Sequence, residues 1–142
     1  MTMLEARPSA VVVRPARPED LGLLDPSPGP DAGETLVAVR DGAVLGRVGI
    51  TAVPGVRDTA VVSGLFVRPG HRGQGVARML VRGACANIVA RGCDWAIATV
   101  APDEEPVRRL LSSCGWRPDP GGGSGKGPLV YRRQVLTHAF MR

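Results

Sequence analysis

At 142 residues, 44% of them hydrophobic and with mean hydropathy near zero, the chain is sized for one domain around one core. No apolar run approaches the ~18 residues of a membrane span and the first residues carry no signal-peptide core. Three cysteines (Cys85, Cys93, Cys114), odd in number and scattered, argue against a disulfide framework and for reduced thiols in a cytoplasm. The formal charge of +5 comes from 17 arginines and a single lysine, but no basic run is longer than a pair and the aromatic residues are too few to stack bases, which argues against direct nucleic-acid binding. The arginine bias, with abundant Ala, Gly and Pro, fits a high-GC genome.

In chain order, the β-branched run Ala10–Arg14 reads as a first strand, and Pro18-Glu19-Asp20 opens a short turn or helix through Leu24. Asp25–Gly33, rich in Pro and Gly, is a loop. Thr35–Arg40 and Val44–Val53 flank Asp41-Gly42, a pair suited to the positive φ angles of a tight hairpin turn. Pro54-Gly55 marks the next turn and Thr59–Val67 the next strand. A helix follows from Val76 to Ala90-Arg91, with Gly92 as its C′ glycine: at 100° per residue Val76, Ala77, Leu80, Val81, Ala84 and Ile88 fall within an arc of about 140°. Trp95–Val100 is a short buried strand. Asp103–Cys114 is the last helix, with Asp103 as its cap and Val107, Leu110, Leu111 and Cys114 as its apolar stripe. Pro118–Pro128 reads as a flexible loop, Leu129–Leu136 as a final strand holding Tyr131, and Thr137–Arg142 as a tail.

The stretch between the strand ending at Val67 and the helix starting at Val76 carries the chemistry. Its loop, Arg68-Pro69-Gly70-His71-Arg72-Gly73-Gln74-Gly75, delivers the chain to a helix N-terminus, where the first backbone N–H groups lack internal partners and the macrodipole adds positive charge. Glycines at 73 and 75 let a phosphate approach the backbone, so a diphosphate-bearing ligand is expected. The run fails the dinucleotide fingerprint, since Arg78 stands where its third glycine would be, and there is no Gly-Lys-Ser/Thr of a P-loop.

Arg72-Gly73-Gln74-Gly75-Val76-Ala77, preceded by Val67-Arg68-Pro69, closely resembles the acetyl-CoA-binding motif of the GCN5-related N-acetyltransferases (GNAT), with Gly115-Trp116 matching that family's Gly-Phe ending. The resemblance, strongest over Ala60–Trp116, implies an α/β (α+β) domain with a mostly antiparallel mixed sheet of about six or seven strands, splayed at its centre, and two principal helices. It divides the chain into N-terminal strands and acceptor side (10–58), an acetyl-CoA-binding core (59–116), a glycine-rich loop (117–128), and a last strand with tail (129–142). Acetyl-CoA is then the co-substrate and no metal is expected. Leu65, Phe66, Val67, Arg72, Gly73, Gln74, Gly75, Val76, Ala77 and Arg78 are its binding residues, with Val67 or Phe66 presenting the N–H nearest the thioester oxygen.

Two departures from the family pattern concern catalysis. Leu111 stands where many members place a tyrosine that protonates the leaving thiolate, and Glu104 where an asparagine is frequent. Three possibilities follow: water or the departing ammonium supplies the proton, Ser112, Ser113 or Cys114 shifts into reach, or the protein binds acyl-CoA without turnover. Asp58, Glu104 and Glu105 are the candidate bases, with helix-dipole complementation the favoured account of Glu104 and Glu105. N-acetylation of a primary amine, on a small molecule or a protein, is the leading expectation. The alternatives are a non-catalytic acyl-CoA sensor or assembly module and a toxin-like acetyltransferase of aminoacyl-tRNA. The short segment after the first strand has room for one helix rather than the family's two, so an uncovered sheet face and the terminal strand point to a homodimer.

Overall fold

The computed structural model describes residues 10–21, 33–119 and 129–135. Strands β1 (Val12–Pro15), β2 (Glu34–Arg40), β3 (Ala43–Val53) and β4 (Val56–Val67) form an antiparallel meander, with a one-turn helix α1 (Pro18–Leu21) between the first two. Helix α2 (Val76–Ala90) carries the chain to β5 (Trp95–Val100), parallel to β4; α3 (Glu105–Ser113) then leads to the edge strand β6 (Arg117–Pro118) and to β7 (Leu129–Gln134). The order across the seven-stranded sheet is β1-β2-β3-β4-β5-β7-β6, and β4–β5 is the one parallel pair among the described residues.

The mixed, largely antiparallel sheet is the expected one, and the β2–β3 hairpin turns on Asp41 and Gly42 with φ of 52° and 78°. Several boundaries differ, β1 among them, which runs over Val12–Pro15 and not Ala10–Arg14. β4 starts at Val56, which pairs with Val53 across the turn, while Arg57, Asp58 and Thr59 bulge from that ladder before it resumes at Ala52–Ala60. Arg117 and Pro118 form an edge strand against Arg132 and Tyr131, a place where the missing proline N–H costs no ladder bond. α3 begins at Glu105 with Glu104 as its cap residue, so Asp103 does not cap it. β7 ends at Gln134, after which the Val135 N–H turns to the Asp94 carbonyl at 2.8 Å. The expectations for residues 22–24, most of the loop to Gly33, the glycine-rich segment 120–128 and the tail 137–142 fall outside the described residues.

Alternation puts Leu36, Val48, Ile50, Ala60, Val62, Ala96 and Ala98 on one face, where Val76, Leu80, Val81, Ala84 and Ile88 of α2 and Leu111 of α3 cover them in a single core with Trp116 and Tyr131. A Cβ on Gly83 would stand 2.8 Å from Val13 Cγ1, so the bare backbone there lets α2 lie down on β1. The far end of α2 is tied to β2: Asn87 Nδ2 donates to Glu34 Oε1, Arg91 Nη2 reaches the same oxygen at 3.4 Å, and Arg91 Nε donates to Asn87 Oδ1 at 2.8 Å. On the opposite face a smaller apolar cluster gathers Val37 and Val44 with Ala16, Val39 and Phe66. The one-turn α1 is fixed at this side by Asp20, whose carboxylate accepts from Arg14 Nη1 and from the Arg17 N–H, both at 2.7 Å. Those bonds, the Arg14 one foremost, hold the Asp20 carboxyl below the usual carboxylate range.

Candidate active site

The site begins where β4 and β5 part. Their parallel ladder runs from Thr59–Trp95 to Val62–Ala98 and stops, although β4 continues to Val67 and β5 to Val100. A bulge is responsible. Against β3, Phe66 pairs with Arg47 and Ser63 with Gly49, so Gly64 and Leu65 together face Val48 alone. The extra residue needs a left-handed conformation, and Gly64 supplies it at φ 63°. The strand bends, and a cavity of about 220 Å3 opens between Ser63, Gly64 and Leu65 on one side and Thr99 and Val100 on the other. Val81 of α2 and Val107 and Leu111 of α3 also line it, and Glu104 stands beside it.

The register decides which backbone groups face this gap. The Arg68 N–H donates to the Leu45 carbonyl at 2.8 Å, which makes Gly46–Val67 a non-hydrogen-bonded pair of the antiparallel ladder. The N–H and C=O of Val67 therefore point away from β3, into the space β5 has left. Arg72 Nε donates to that Val67 carbonyl at 2.9 Å, while its guanidinium carbon lies 5.8 Å from the centre of the Phe66 ring. Phe66, paired with Arg47, turns its peptide groups to β3 instead, so of the neighbours singled out in the sequence Val67 is the one whose N–H faces the gap.

A second groove, of about 370 Å3, is floored by Val67, His71, Arg72, Gly73, Gly75, Val76, Ala77 and Arg78 and walled by Pro106 and Leu110 of α3. A short 3-10 turn, Pro69–His71, leads into it. Gly75 caps α2 at φ 82° with no side-chain cap, and the first intrahelical bond is Met79 N–H to Gly75 O at 3.1 Å. The N–H groups of Val76, Ala77 and Arg78 thus precede the helix's own hydrogen bonding. A Cβ placed on Gly73 or Gly75 would meet nothing within 4 Å, so the backbone fronts open space that an anion can fill. Arg78 leans to Cys114, its Nη1 4.0 Å from Sγ. His71 Nδ1 is sealed without a partner, while Gln74 is exposed and does not line the groove.

Of the candidate bases the structure brings one to the gap. Glu104 lines it, exposed, with Oε2 accepting from the Ala101 N–H at 3.3 Å. Asp58 stands before the joined end of the β4–β5 ladder, where its Oδ1 accepts from Thr59 Oγ1 at 3.0 Å and its carbonyl from the Asp94 N–H at 2.8 Å. That is nine residues back along β4 from Val67, roughly 30 Å of strand. Leu111 is 2% exposed and Tyr131, on β7 opposite Ala98, is buried in the core. Sequence reasoning missed Ser63 and Thr99, which line the gap, and Arg47, the one charge in β3; polar residues interrupting apolar strands were the available signal. Among the described residues no three His, Cys, Asp or Glu side chains are grouped to hold a metal, and no helix is long and apolar enough to cross a membrane.

A family model described as the acetyltransferase (GNAT) family matches residues 4–116. No curated protein sequence matches the chain. Similar solved structures include an IAA acetyltransferase from Bacillus cereus, at 18% identity and TM-score 0.71 over 88% of this chain and 99% of that one. A GNAT family acetyltransferase from Elizabethkingia anophelis with acetyl-CoA bound gives 14% and 0.68, over 87% and 97%. An acetyltransferase of the GNAT family from Staphylococcus aureus gives 12% and 0.69, over 89% and 100%. At such identities the likeness is one of fold.

Proposed function

This chain belongs to the acetyltransferase (GNAT) family, and from that premise we propose that it moves an acetyl group from acetyl-CoA to a primary amine. The observation that carries the reading is Val67, which floors the anion cradle at the start of α2 and turns its peptide into the space that β5 has left. The residues fit the co-substrate, because both cradle glycines leave the space before them empty and a diphosphate brings the charge their backbone amides seek. Acetyl-CoA supplies an acetyl group already activated as a thioester.

In this reading Gly73, Gly75 and the N–H groups of Val76, Ala77 and Arg78 hold the diphosphate, with Arg72 and Arg78 adding charge and Gln74 at the rim. Leu65 and Val67 offer the pairing that β5 has withdrawn, and Phe66 backs the Arg72 guanidinium. The Val67 N–H polarises the carbonyl oxygen as a donor fixed in place before the reaction. Glu104 takes the proton of the incoming amine. Its place beside apolar Val107 and Leu111 favours this over a purely structural role. With Leu111 in the core, the departing sulfur takes its proton from water or from the ammonium formed on attack. The chain acts in the cytoplasm as a homodimer, for which light scattering should give twice 14.9 kDa.

Leu111 itself favours a second reading, an acyl-CoA sensor without turnover. Thiol release from acetyl-CoA across a panel of small amines and peptides separates the two. Turnover of any amine supports transfer; tight CoA binding with none supports the sensor.

A further inference from the structure

Arg47 is 9% exposed. Its partners across the sheet are Val37 on β2 and Phe66 on β4, both part of the apolar cluster on the face away from α2 and α3. Directly paired side chains share a face with Cβ atoms about 4.5–5.5 Å apart, so the stem of Arg47 runs between a valine and a phenylalanine. The ion pairs among the described residues engage Arg14, Arg91 and Arg109, and none engages Arg47. Its Nε is sealed from solvent with no acceptor. A guanidinium cannot shed its proton to escape this, and a buried charge is normally paired. Among the described residues this cation therefore lies between apolar side chains with no carboxylate paired to it.

The position of that cation gives it a use. Two residues further along β3, about 7 Å, Gly49 pairs with Ser63 at the point where β4 leaves β5. Phe66, beside Arg47, is followed by Val67, whose N–H faces the gap. An oxyanion held by Arg47 thus lies one short molecule's length from the place where transfer occurs, on the face not covered by α2 and α3. The planar fork of a guanidinium binds carboxylates and phosphonates through two parallel N–H bonds, which fixes orientation as well as position.

We infer that Arg47 anchors the acceptor, and that the acceptor is a small amine bearing a carboxylate or a similar oxyanion near its amino group. The inference rests on the acetyl-transfer reading above and narrows it: amino acids and aminophosphonates qualify, whereas lysine side chains of proteins do not.

The test measures thiol release from acetyl-CoA by the full chain with L-amino acids, their 1-aminophosphonate analogues and their decarboxylated amines. At least one of the two anionic series is expected to exceed its matching amines in kcat/KM by about 30-fold or more, with that ratio collapsing in Arg47→Gln while CoA affinity by calorimetry holds. Whichever anionic series prevails identifies the oxyanion. An unchanged ratio in Arg47→Gln overturns the inference and leaves acetyl transfer standing. Absence of turnover with every amine, CoA still binding, overturns acetyl transfer and the anchor with it. A second readout needs no turnover. Arg47→Met replaces an unpaired buried cation by an apolar chain, so the ligand-free variant is expected to melt above the parent; a lower melting temperature marks Arg47 as a structural contact and overturns the inference. Arg57→Gln, exposed at the start of β4, controls for lost charge and leaves both readouts unchanged.

Discussion

The two ends of β4 are chemically alike and structurally opposite. From Ala60 to Val62 the strand is laddered on both sides, to β3 and to β5, and its peptide groups serve the sheet. From Ser63 to Val67 the same kind of apolar sequence is laddered on one side only, because Gly64 admits an extra residue and β5 drops away. The contrast teaches that this site is made by withholding a neighbour. Its main instruments are backbone groups left facing a gap and a helix start, and side chains refine what the backbone has laid out.

The comparison can be broken most forcefully at the cradle. Gly75→Glu sets bulk and negative charge among the unpaired N–H groups and is expected to weaken CoA binding by about 100-fold or more, measured by calorimetry. Affinity equal to the parent would remove the diphosphate site from this end of the molecule. Next in size, Glu104→Gln at the open end should lower kcat by about 100-fold with CoA affinity intact, whereas Asp58→Asn at the joined end should leave turnover within about a factor of two. Equal effects of the two would mean that neither carboxylate handles the proton.

A matched glycine pair sharpens the same contrast. Gly64 and Gly55 have φ of 63° and 77°, and a Cβ on either would meet nothing within 4 Å. Alanine at each should cost a similar 1–2 kcal/mol, roughly, for the left-handed conformation, seen as comparable losses in urea midpoint. Only Gly64→Ala should also reduce kcat, by about tenfold, since only there does the backbone shape the gap. The smallest effect lies on the acceptor side. The folded-state pKa of Asp20 is lowered by Arg14 and the Arg17 N–H, so its contribution to stability is complete above the ordinary carboxylate pKa and is lost as pH falls through the lowered value. Asp20→Asn should therefore melt lower than the parent at pH 7, with the difference shrinking below about pH 4. A difference that grows on acidification would contradict the assignment.

The glycine loop and α2 were legible because their signals are local. Glycines 73 and 75 turn the chain where they stand, the apolar stripe of α2 is a count along one segment, and Trp95–Val100 emerges with the ends its hydrophobic run marks. What stayed hidden depends on pairing between distant segments. The bulge at Gly64 exists only relative to β3, and the outward aim of the Val67 peptide follows from a register no single strand reveals. Arg47 is one arginine among many in the sequence, and only the pairing that sets Val37 and Phe66 on either side distinguishes it. Asp58, close to the motif in sequence, lies at the far end of β4 from the gap, a distance set by the length of the strand.

One bond links the two halves of the site. Arg72 belongs to the glycine loop proposed to hold the diphosphate, yet its Nε grips the carbonyl of Val67, the residue whose N–H faces the gap. The loop and the proposed reacting centre are thus mechanically one part, and whatever steadies the loop steadies the Val67 peptide. A truncated thioester such as S-acetylpantetheine, lacking the diphosphate, would still reach the gap but would leave this linkage slack. Its handicap would then show in the speed of transfer as well as in the strength of binding, as expected where contacts remote from the chemistry govern its rate.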